Sequence, residues 1–263
     1  MWSALRTVAA TRYVTPLREG GSLPAIVEAD DSGLYVVKFR GAGQGVKALV
    51  AEVIAAGIAR ALGLLVPEVV LIDVPAELGR NEPDDEIREL LRASVGLNAA
   101  LDYLPGAASF DPAVGPLPPP ELASSVVWFD AFVTNVDRTP RNPNLLCWHR
   151  GLYLIDHGAS LYFHHDWGDT QEKARSPFAP IREHVLLPWA TELEAVDRQV
   201  RPKLGGDVFT QVLSDVPDAW LTDEPHVPTA AARREAYGAY LESRLAAASV
   251  FVQEAIRART NLV

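Results

Sequence analysis

The sequence contains little sulfur and no hydrophobic run of membrane length. Among its 263 residues there is one cysteine, Cys147, and one methionine. A single cysteine excludes an internal disulfide and a multi-cysteine zinc site, and it suits a reducing compartment, so we expect a cytoplasmic protein. No stretch approaches the ~20 apolar residues of a membrane span, and the N-terminus lacks the apolar core of a secretory signal. We therefore expect neither a membrane span nor a secretory peptide.

Basic residues are fewer than acidic ones. The 24 Lys and Arg residues against 34 Asp and Glu residues give a formal net charge of −10. Binding of nucleic acid without sequence preference requires a basic surface, so no direct nucleic acid binding is expected. A nucleotide held through magnesium remains compatible with this charge, because the metal supplies the positive charge.

The first hundred residues have strand patterns around one helix pattern. Residues 11–40 alternate as paired strands, and further strands are predicted at 68–74 and 93–104. Residues 46–63 predict the clearest helix of the chain, and Gly63 is its predicted end. Proline, glycine and alanine are frequent in residues 105–120, which is typical of a linker.

The second half of the chain is predicted to be mainly helical. Helices are expected at residues 119–133, 188–204, 206–214 and 233–260. Between the first and second of these, an apolar run leads into the polar segment 135–144, and two short apolar runs joined at Gly151 follow. This order predicts a helix, a polar loop and a β-hairpin, with Asp137 before the hairpin and Asp156 after it.

The polar segment and the end of the hairpin carry oxygen ligands. Asn142 with Asp156 would chelate a hard cation such as magnesium through oxygen atoms. Asp137 would accept or orient the proton of an attacking hydroxyl. The alternative is that Asn135, Asp137, Asn142 and Asn144 are turn formers that cap the preceding helix.

Lys38 and Glu52 also allow two interpretations. Lys38 lies between Val37 and Phe39 in a predicted strand, where a lysine is usually the member that faces solvent. Glu52 lies in the middle of the predicted helix and is either a solvated helix glutamate or the ion-pair partner of Lys38. In the second case the pair would hold the lysine against the phosphates of a nucleotide.

A zinc site built from histidines is disfavoured. His157, His164 and His165 are close in the sequence. Zinc requires ligands with an ordered spacing, and two adjacent histidines do not easily face one ion.

The residues discussed so far combine into one pattern: Lys38 on a strand, Glu52 on the next helix, Asp137-Arg138 with Asn142 five residues later, and Asp156-His157-Gly158 after a hairpin. This pattern resembles the protein-kinase-like superfamily. The segments NVDRTPRNPNLL and LIDHGASLYFH are most similar to HipA-like kinases, with a looser similarity to phosphatidylinositol kinases. The similarity runs from about residue 12 to residue 165.

The resemblance implies a role for each of these residues. Lys38 would contact the phosphates of the nucleotide, Glu52 would orient Lys38, and Asp137 would be the catalytic base. Asn142 and Asp156 would bind magnesium, and Asn144 competes with Asn142 for this role. Gly21 and Ser22 would cover the phosphates. Tyr103 and Leu104 would line an adenine pocket.

The chain also departs from the protein-kinase pattern. Val136 precedes Asp137, so the His-Arg-Asp form is absent, and His157 replaces the phenylalanine of the Asp-Phe-Gly element. No activation segment with a closing motif follows Asp156, and residues 162–180 occupy that place. The chain is also shorter than the full HipA-type toxin. These departures leave open which molecule accepts the phosphoryl group and whether the protein is an active kinase.

We therefore expect an α+β, two-lobed protein-kinase-like fold. Residues 1–104 would form an N-lobe with a small antiparallel sheet, 105–120 a linker, and 121–263 a mainly helical C-lobe with the catalytic hairpin. The expected cofactors are ATP and Mg²⁺, and the expected reaction is transfer of the γ-phosphoryl group to a hydroxyl, with Ser or Thr of a protein as the favoured acceptor.

Three alternatives to this function remain. The first is a small-molecule or lipid kinase, or an AMP transferase, on the same fold. The second is a non-catalytic nucleotide-binding module that resembles a pseudokinase. The third is a helical scaffold without a nucleotide, which requires Lys38 and Glu52 to face solvent on unrelated surfaces.

Overall fold

The computed structural model describes residues 4–17, 23–80, 82–222, 227 and 229–262. The strands are β1 (Thr7–Pro16), β2 (Ala25–Ala29), β3 (Leu34–Lys38), β4 (Val69–Val74), β5 (Gly96–Asp102), β6 (Ala108–Ser109), β7 (Leu145–Trp148) and β8 (Gly151–Leu154). The α-helices are α1 (Val46–Leu62), α2 (Asp85–Ala93), α3 (Pro120–Val133), α4 (Thr170–Ala174), α5 (Leu193–Val200), α6 (Gly206–Ser214), α7 (Ala230–Ala246) and α8 (Ala248–Thr260). Strands dominate the first half and helices the second, which confirms the predicted α+β class.

The first five strands form a closed barrel in the order β1-β2-β3-β5-β4. This corrects the prediction of a small antiparallel sheet, because β1 and β4 pair in parallel. The first residues of β1 pair with β4, and the rest of β1 pairs with β2 through two register shifts. Such irregularities bend a strand, and the bend lets one strand bridge both ends of the sheet and leave no open edge.

Helix α1 is buried over most of its surface. Apolar side chains surround it, and it packs against β5 and α6. A helix that is apolar on all sides belongs in a core. The predicted end at Gly63 is confirmed: Gly63 has a φ of 85°, and its amide donates to the last carbonyls of the helix. Glu52 is therefore carried by a fixed element.

Helix α3 forms the centre of the helical part. The Trp128 ring stacks on Phe132 at 5.3 Å between centroids and meets the edge of Phe251 at 5.5 Å. The indole Nε1 of Trp128 donates to Asp197 of α5 at 2.8 Å. This packing fixes the helix that ends immediately before the polar segment 135–144.

The long C-terminal helix predicted at 233–260 is two helices. Ala247 leaves helical geometry, so α7 packs against α4 and α6 while α8 packs against α3 and α5. The break lets the two halves cover different neighbours, which a continuous helix would not do. No helix in the described part of the chain has both the length and the apolarity to cross a membrane.

The predicted hairpin is present as β7 and β8. Strand β6, which lies in the segment predicted as a linker, pairs with β7 and makes a three-stranded sheet. The hairpin is also joined to the segment that follows α1, because Leu154 donates its amide to the carbonyl of Leu65 at 2.8 Å. These contacts fix the position of Asp156, two residues after β8.

Candidate active site

Three charged side chains from distant parts of the chain meet beside the hairpin. The Nζ atom of Lys38, at the end of β3, lies 2.6 Å from Oε2 of Glu52 on α1 and 2.5 Å from Oδ1 of Asp156. The Lys38 side chain is 14% exposed and that of Glu52 is fully buried. The structure thus contains the ion pair of Lys38 and Glu52. A scaffold without a nucleotide would have the two side chains facing solvent on unrelated surfaces, and the structure does not show this.

The charges in this cluster stabilise one another. Burial alone would lower the pKa of Lys38, but the charges of Glu52 and Asp156 outweigh it and raise that pKa. Burial alone would raise the pKa of Glu52, but the charge of Lys38 and hydrogen bonds from His157 hold it well below its usual range. Lys38 and Glu52 are therefore both ionised near neutral pH.

Asp156 occupies a turn that points its carboxylate outward. Its φ is 55°, in the left-handed region that aspartate adopts more readily than most residues. Its side chain is 44% exposed, although its neighbour His157 is buried. Oδ1 accepts from Lys38, and Oδ2 has no hydrogen-bond partner among the described residues. One carboxylate oxygen is thus available to a ligand.

Asp137 is bound by both candidate amides. Its Oδ2 atom accepts from Nδ2 of Asn142 at 2.8 Å and from Nδ2 of Asn144 at 3.4 Å. Its own amide donates to Oδ1 of Asn135 at 3.1 Å. Each of the two asparagines uses its amide nitrogen for Asp137, which leaves its side-chain oxygen for another partner.

Asn142 and Asn144 differ in burial and in neighbours. Asn144 is buried, and its carbonyl accepts from the amide of Ile155, the residue before Asp156, at 3.0 Å. Asn142 is exposed in a turn closed by hydrogen bonds with Thr139. Asn144 is thus fixed beside the end of β8, whereas Asn142 can change its side-chain orientation.

The chemistry of these donors suits magnesium. The set consists of carboxylate and amide oxygens, which are the ligands of a hard cation, and Mg²⁺ usually needs only one or two carboxylates when phosphates and water complete its shell. Among the described residues, no group of three or more His, Cys, Asp or Glu side chains could hold a metal ion.

A buried ion pair that was not predicted supports the polar segment. Arg138 donates through Nε to Oδ2 of Asp130 at 2.6 Å, and both side chains are fully buried. Nε2 of His184 lies 2.8 Å from the same oxygen. Burial alone would raise the pKa of Asp130, but Arg138 and His184 hold it well below its usual range. An aspartate inside the apolar run of α3 was the sequence signal for this group.

Arg138 joins this ion pair to the hairpin. Its Nη1 atom donates to the carbonyl of Asn144 and to that of Ile155, the latter at 3.3 Å. The guanidinium thus connects α3, the polar segment and the end of β8. Through it, the positions of Asp137 and Asp156 depend on a buried group that touches neither carboxylate.

The residues expected to bind the nucleotide are placed in part. Gly21 and Ser22 lie outside the described residues. Tyr103 and Leu104 follow β5, which is paired with β3. The amide of Tyr103 donates to the carbonyl of Leu34 at 2.9 Å, so it already belongs to the barrel. No hydrogen bond or ion pair between described residues joins Tyr103 or Leu104 to Lys38.

Two of the three histidines considered for zinc, His157 and His164, have separate partners. Nδ1 of His164 lies 2.9 Å from the hydroxyl of Tyr237, and Nδ1 of His157 lies 3.2 Å from Glu52. Burial, with the charges of nearby basic groups, keeps the pKa of His164 well below its usual value. His164 is therefore neutral at physiological pH.

Known proteins resemble this chain in sequence and in fold. A family model described as HipA-like kinase matches residues 11–244. A search of the curated proteins found no match. Among solved structures, the chain is similar to the Helicobacter pylori proinflammatory kinase CtkA, with a TM-score of 0.56 and 13% identity over 96% of this chain and 98% of that one. At 13% identity, this similarity shows a shared fold and nothing further.

Proposed function

Since the chain belongs to the HipA-like kinase family, which confirms the resemblance seen in its sequence, we propose that it is an ATP- and Mg²⁺-dependent kinase. It transfers the γ-phosphoryl group to a hydroxyl, with Ser or Thr of a protein as the favoured acceptor. The observation that carries the proposal is the cluster of Lys38, Glu52 and Asp156. Phosphoryl transfer needs positioning and charge neutralisation more than covalent chemistry, and this cluster offers both.

Each residue has one task in this proposal. Lys38 donates to phosphate oxygens, and Glu52 keeps Lys38 in place and charged. Asp156 holds Mg²⁺ together with a side-chain oxygen of Asn142 or Asn144. The metal neutralises charge on the phosphates when it is bound.

Asp137 is the proposed base. Two amides engage its Oδ2 atom, so Oδ1 is the oxygen left to accept the proton of the attacking hydroxyl. A module that only binds nucleotide has no need of a carboxylate in this position, which disfavours the non-catalytic alternative.

We also propose the two-lobed arrangement of a kinase. Residues 1–104 form the N-lobe, 105–120 the connection, and 121–263 the C-lobe, with the adenine in the cleft. Gly21 and Ser22 cover the phosphates, while Tyr103 and Leu104 line the adenine pocket. The pairing of β5 with β3, which carries Lys38, supports this placement.

Thermal unfolding with ATP tests the nucleotide site. We expect ATP with Mg²⁺ to raise the melting temperature, ATP alone to raise it less, and the Asp156→Asn variant to lose the magnesium-dependent part. No shift in the wild type under any condition would contradict the proposal. A shift that Asp156→Asn retains in full would remove Asp156 from the metal site.

A further inference from the structure

His157, between Asp156 and Gly158, makes a contact through its ring that the phenylalanine of the protein-kinase pattern could not make. Its backbone amide donates to Oε2 of Glu52 at 2.7 Å. Its ring nitrogen Nδ1 lies 3.2 Å from Oε1 of the same carboxylate. Both side chains are fully buried. The segment that carries Asp156 is therefore bonded twice to the glutamate that pairs with Lys38.

We infer that His157 is a positioning residue that holds Glu52, Lys38 and Asp156 in one arrangement before any nucleotide binds. The inference rests on the proposed kinase function and names a residue that acts through Glu52 and Asp156. His157 would not itself touch nucleotide, metal or acceptor.

The charge of Glu52 determines which ring nitrogen of His157 carries hydrogen. An ionised carboxylate only accepts hydrogen bonds, so Nδ1 must be the donor to Oε1. Nε2 has no hydrogen-bond partner among the described residues, and the ring meets the edge of Phe129 at 5.8 Å between centroids. The ring is thus placed by one polar contact and one aromatic contact.

These bonds restrict the movement of Glu52. Its Oε2 atom accepts from both Lys38 and the amide of His157, and its Oε1 atom is near the ring. If Glu52 left Lys38, it would also lose two bonds to His157 in a fully buried place, and an unpaired buried charge is strongly unfavourable. The lysine–glutamate pair and the proposed metal carboxylate therefore stay together.

The next residue, Gly158, lies near the same helix. A Cβ atom on Gly158 would lie 3.4 Å from the Cβ of Ala48 in the first turn of α1, which is an ordinary van der Waals distance. The segment that carries Asp156 and His157 therefore runs beside the helix that carries Glu52. Rotation of this segment away from α1 would break the hydrogen bond from the His157 amide to Glu52.

Substitution of His157 by asparagine or by glutamine tests whether the residue positions Glu52 or only fills space. In His157→Asn the side-chain nitrogen is as many bonds from Cα as Nδ1, so the donor to Glu52 can be restored. In His157→Gln the nitrogen is as many bonds away as Nε2, so it is displaced from Glu52. His157→Leu keeps apolar volume without any donor.

The first measurement needs no activity: a long-range ¹H–¹⁵N NMR spectrum of the histidine rings in the protein without ligand, with His157 assigned by its absence in His157→Asn. We expect hydrogen on Nδ1, the nitrogen that faces Glu52. A ring that carries its only hydrogen on Nε2 would overturn the inference, whether or not the protein is a kinase.

The second measurement is the magnesium concentration that gives half of the ATP-dependent thermal stabilisation. We expect His157→Asn to stay within about threefold of the wild type. His157→Gln and His157→Leu should need roughly 10- to 100-fold more magnesium, the loss typical of groups that orient metal ligands.

An equal magnesium requirement of His157→Asn and His157→Gln, or a His157→Leu variant that matches the wild type, would contradict the positioning role of His157. Neither result would contradict the proposed kinase function. A wild type without any effect of magnesium and ATP would contradict the proposed function as well. If the substituted proteins do not fold, the ring signals are assigned by through-bond correlation to the backbone of His157, and the wild-type spectrum still decides the contact with Glu52.

Discussion

The Nζ atom of Lys38 lies 2.5 Å from Oδ1 of Asp156, although 118 residues separate them in the chain. The contact joins the end of a barrel strand to the residue that follows the hairpin, and Glu52 completes it from α1. A lysine that contacts two carboxylates is held by opposite charges on two sides. Its loss should therefore affect both stability and nucleotide binding.

Replacement of Lys38 by methionine should destabilise the fold and abolish ATP binding. Glu52 would remain buried without its cationic partner, which costs about 3–5 kcal/mol when one member of a buried pair is removed. The free energy of unfolding, measured with urea, should fall in that range. The double variant Lys38→Met with Glu52→Gln should lose less than the sum of the two single variants. A Lys38→Met protein as stable as the wild type would show that the pair is not formed in solution.

Alanine substitutions should distinguish Asn142 from Asn144 as the metal ligand. We expect Asn142→Ala to raise the magnesium requirement with little change in stability, because Asn142 is exposed and its side-chain oxygen can reorient toward the metal. Asn144→Ala should lower the free energy of unfolding by about 1–3 kcal/mol, because it removes a buried amide that bonds Asp137. Should Asn142→Ala keep the wild-type magnesium requirement while Asn144→Ala raises it, the ligand is Asn144.

Removal of the charge on Asp130 should destabilise the protein, although Asp130 does not contact Asp137 or Asp156. Asp130→Asn leaves Arg138 buried without a counter-charge, so a loss of about 3–5 kcal/mol in unfolding free energy is expected. Because Arg138 also bonds the carbonyls of Asn144 and Ile155, the rate of phosphoryl transfer should fall as well. The matched control is Asp197→Asn on α5, which removes a carboxylate charge that pairs with Arg201 but keeps an oxygen that accepts from Trp128. If both variants lose stability and rate equally, Asp130 has no special role.

Stability should fall as the pH decreases from about 7 to 5, in part because of His164. Burial keeps the pKa of His164 in the folded protein well below that of the unfolded chain, which is near 6.5. Below that pH the unfolded state binds a proton that the folded state does not, so unfolding is favoured.

His164→Asn keeps a polar group near the Tyr237 hydroxyl but does not titrate. Its stability should therefore change less with pH, by about 1.4 kcal/mol per pH unit for one proton fewer. Identical pH profiles of the two proteins, measured by urea unfolding, would show that folding does not lower the pKa of His164.

The local elements were largely predictable from the sequence. Helix α1 and its end at Gly63 followed from apolar residues and a terminal glycine, and the hairpin followed from two apolar runs around Gly151. Closure of the barrel was not predictable, because alternation identifies β1 as a strand but does not indicate that it pairs with β4 some sixty residues later. The break at Ala247 was missed for a similar reason, since alanine favours a helix and only packing against two different surfaces interrupts it.

The proposed site was predictable only through the family resemblance. Local pattern alone left Lys38 and Glu52 either solvent-facing or paired, and nothing near either one indicates the other. The contact between His157 and Glu52 and the pair of Asp130 with Arg138 were missed. Each contact joins two elements that meet only in the folded chain. A histidine or an aspartate in an apolar segment does not indicate from the sequence which residue it will contact.

Transfer of the γ-phosphoryl group from labelled ATP tests the central proposal most directly. The wild type, Asp137→Ala and Asp156→Asn would each be incubated with labelled ATP, Mg²⁺ and candidate protein and small-molecule acceptors. Nucleotide binding by the same samples would be followed by thermal stabilisation. We predict that the wild type labels a hydroxyl-bearing acceptor and that Asp137→Ala binds ATP with Mg²⁺ but transfers no phosphate. Asp156→Asn should transfer no phosphate and should keep only the magnesium-independent part of ATP binding. Transfer by Asp137→Ala at the wild-type rate, or a wild type that binds ATP and labels no acceptor of either class, would contradict the account.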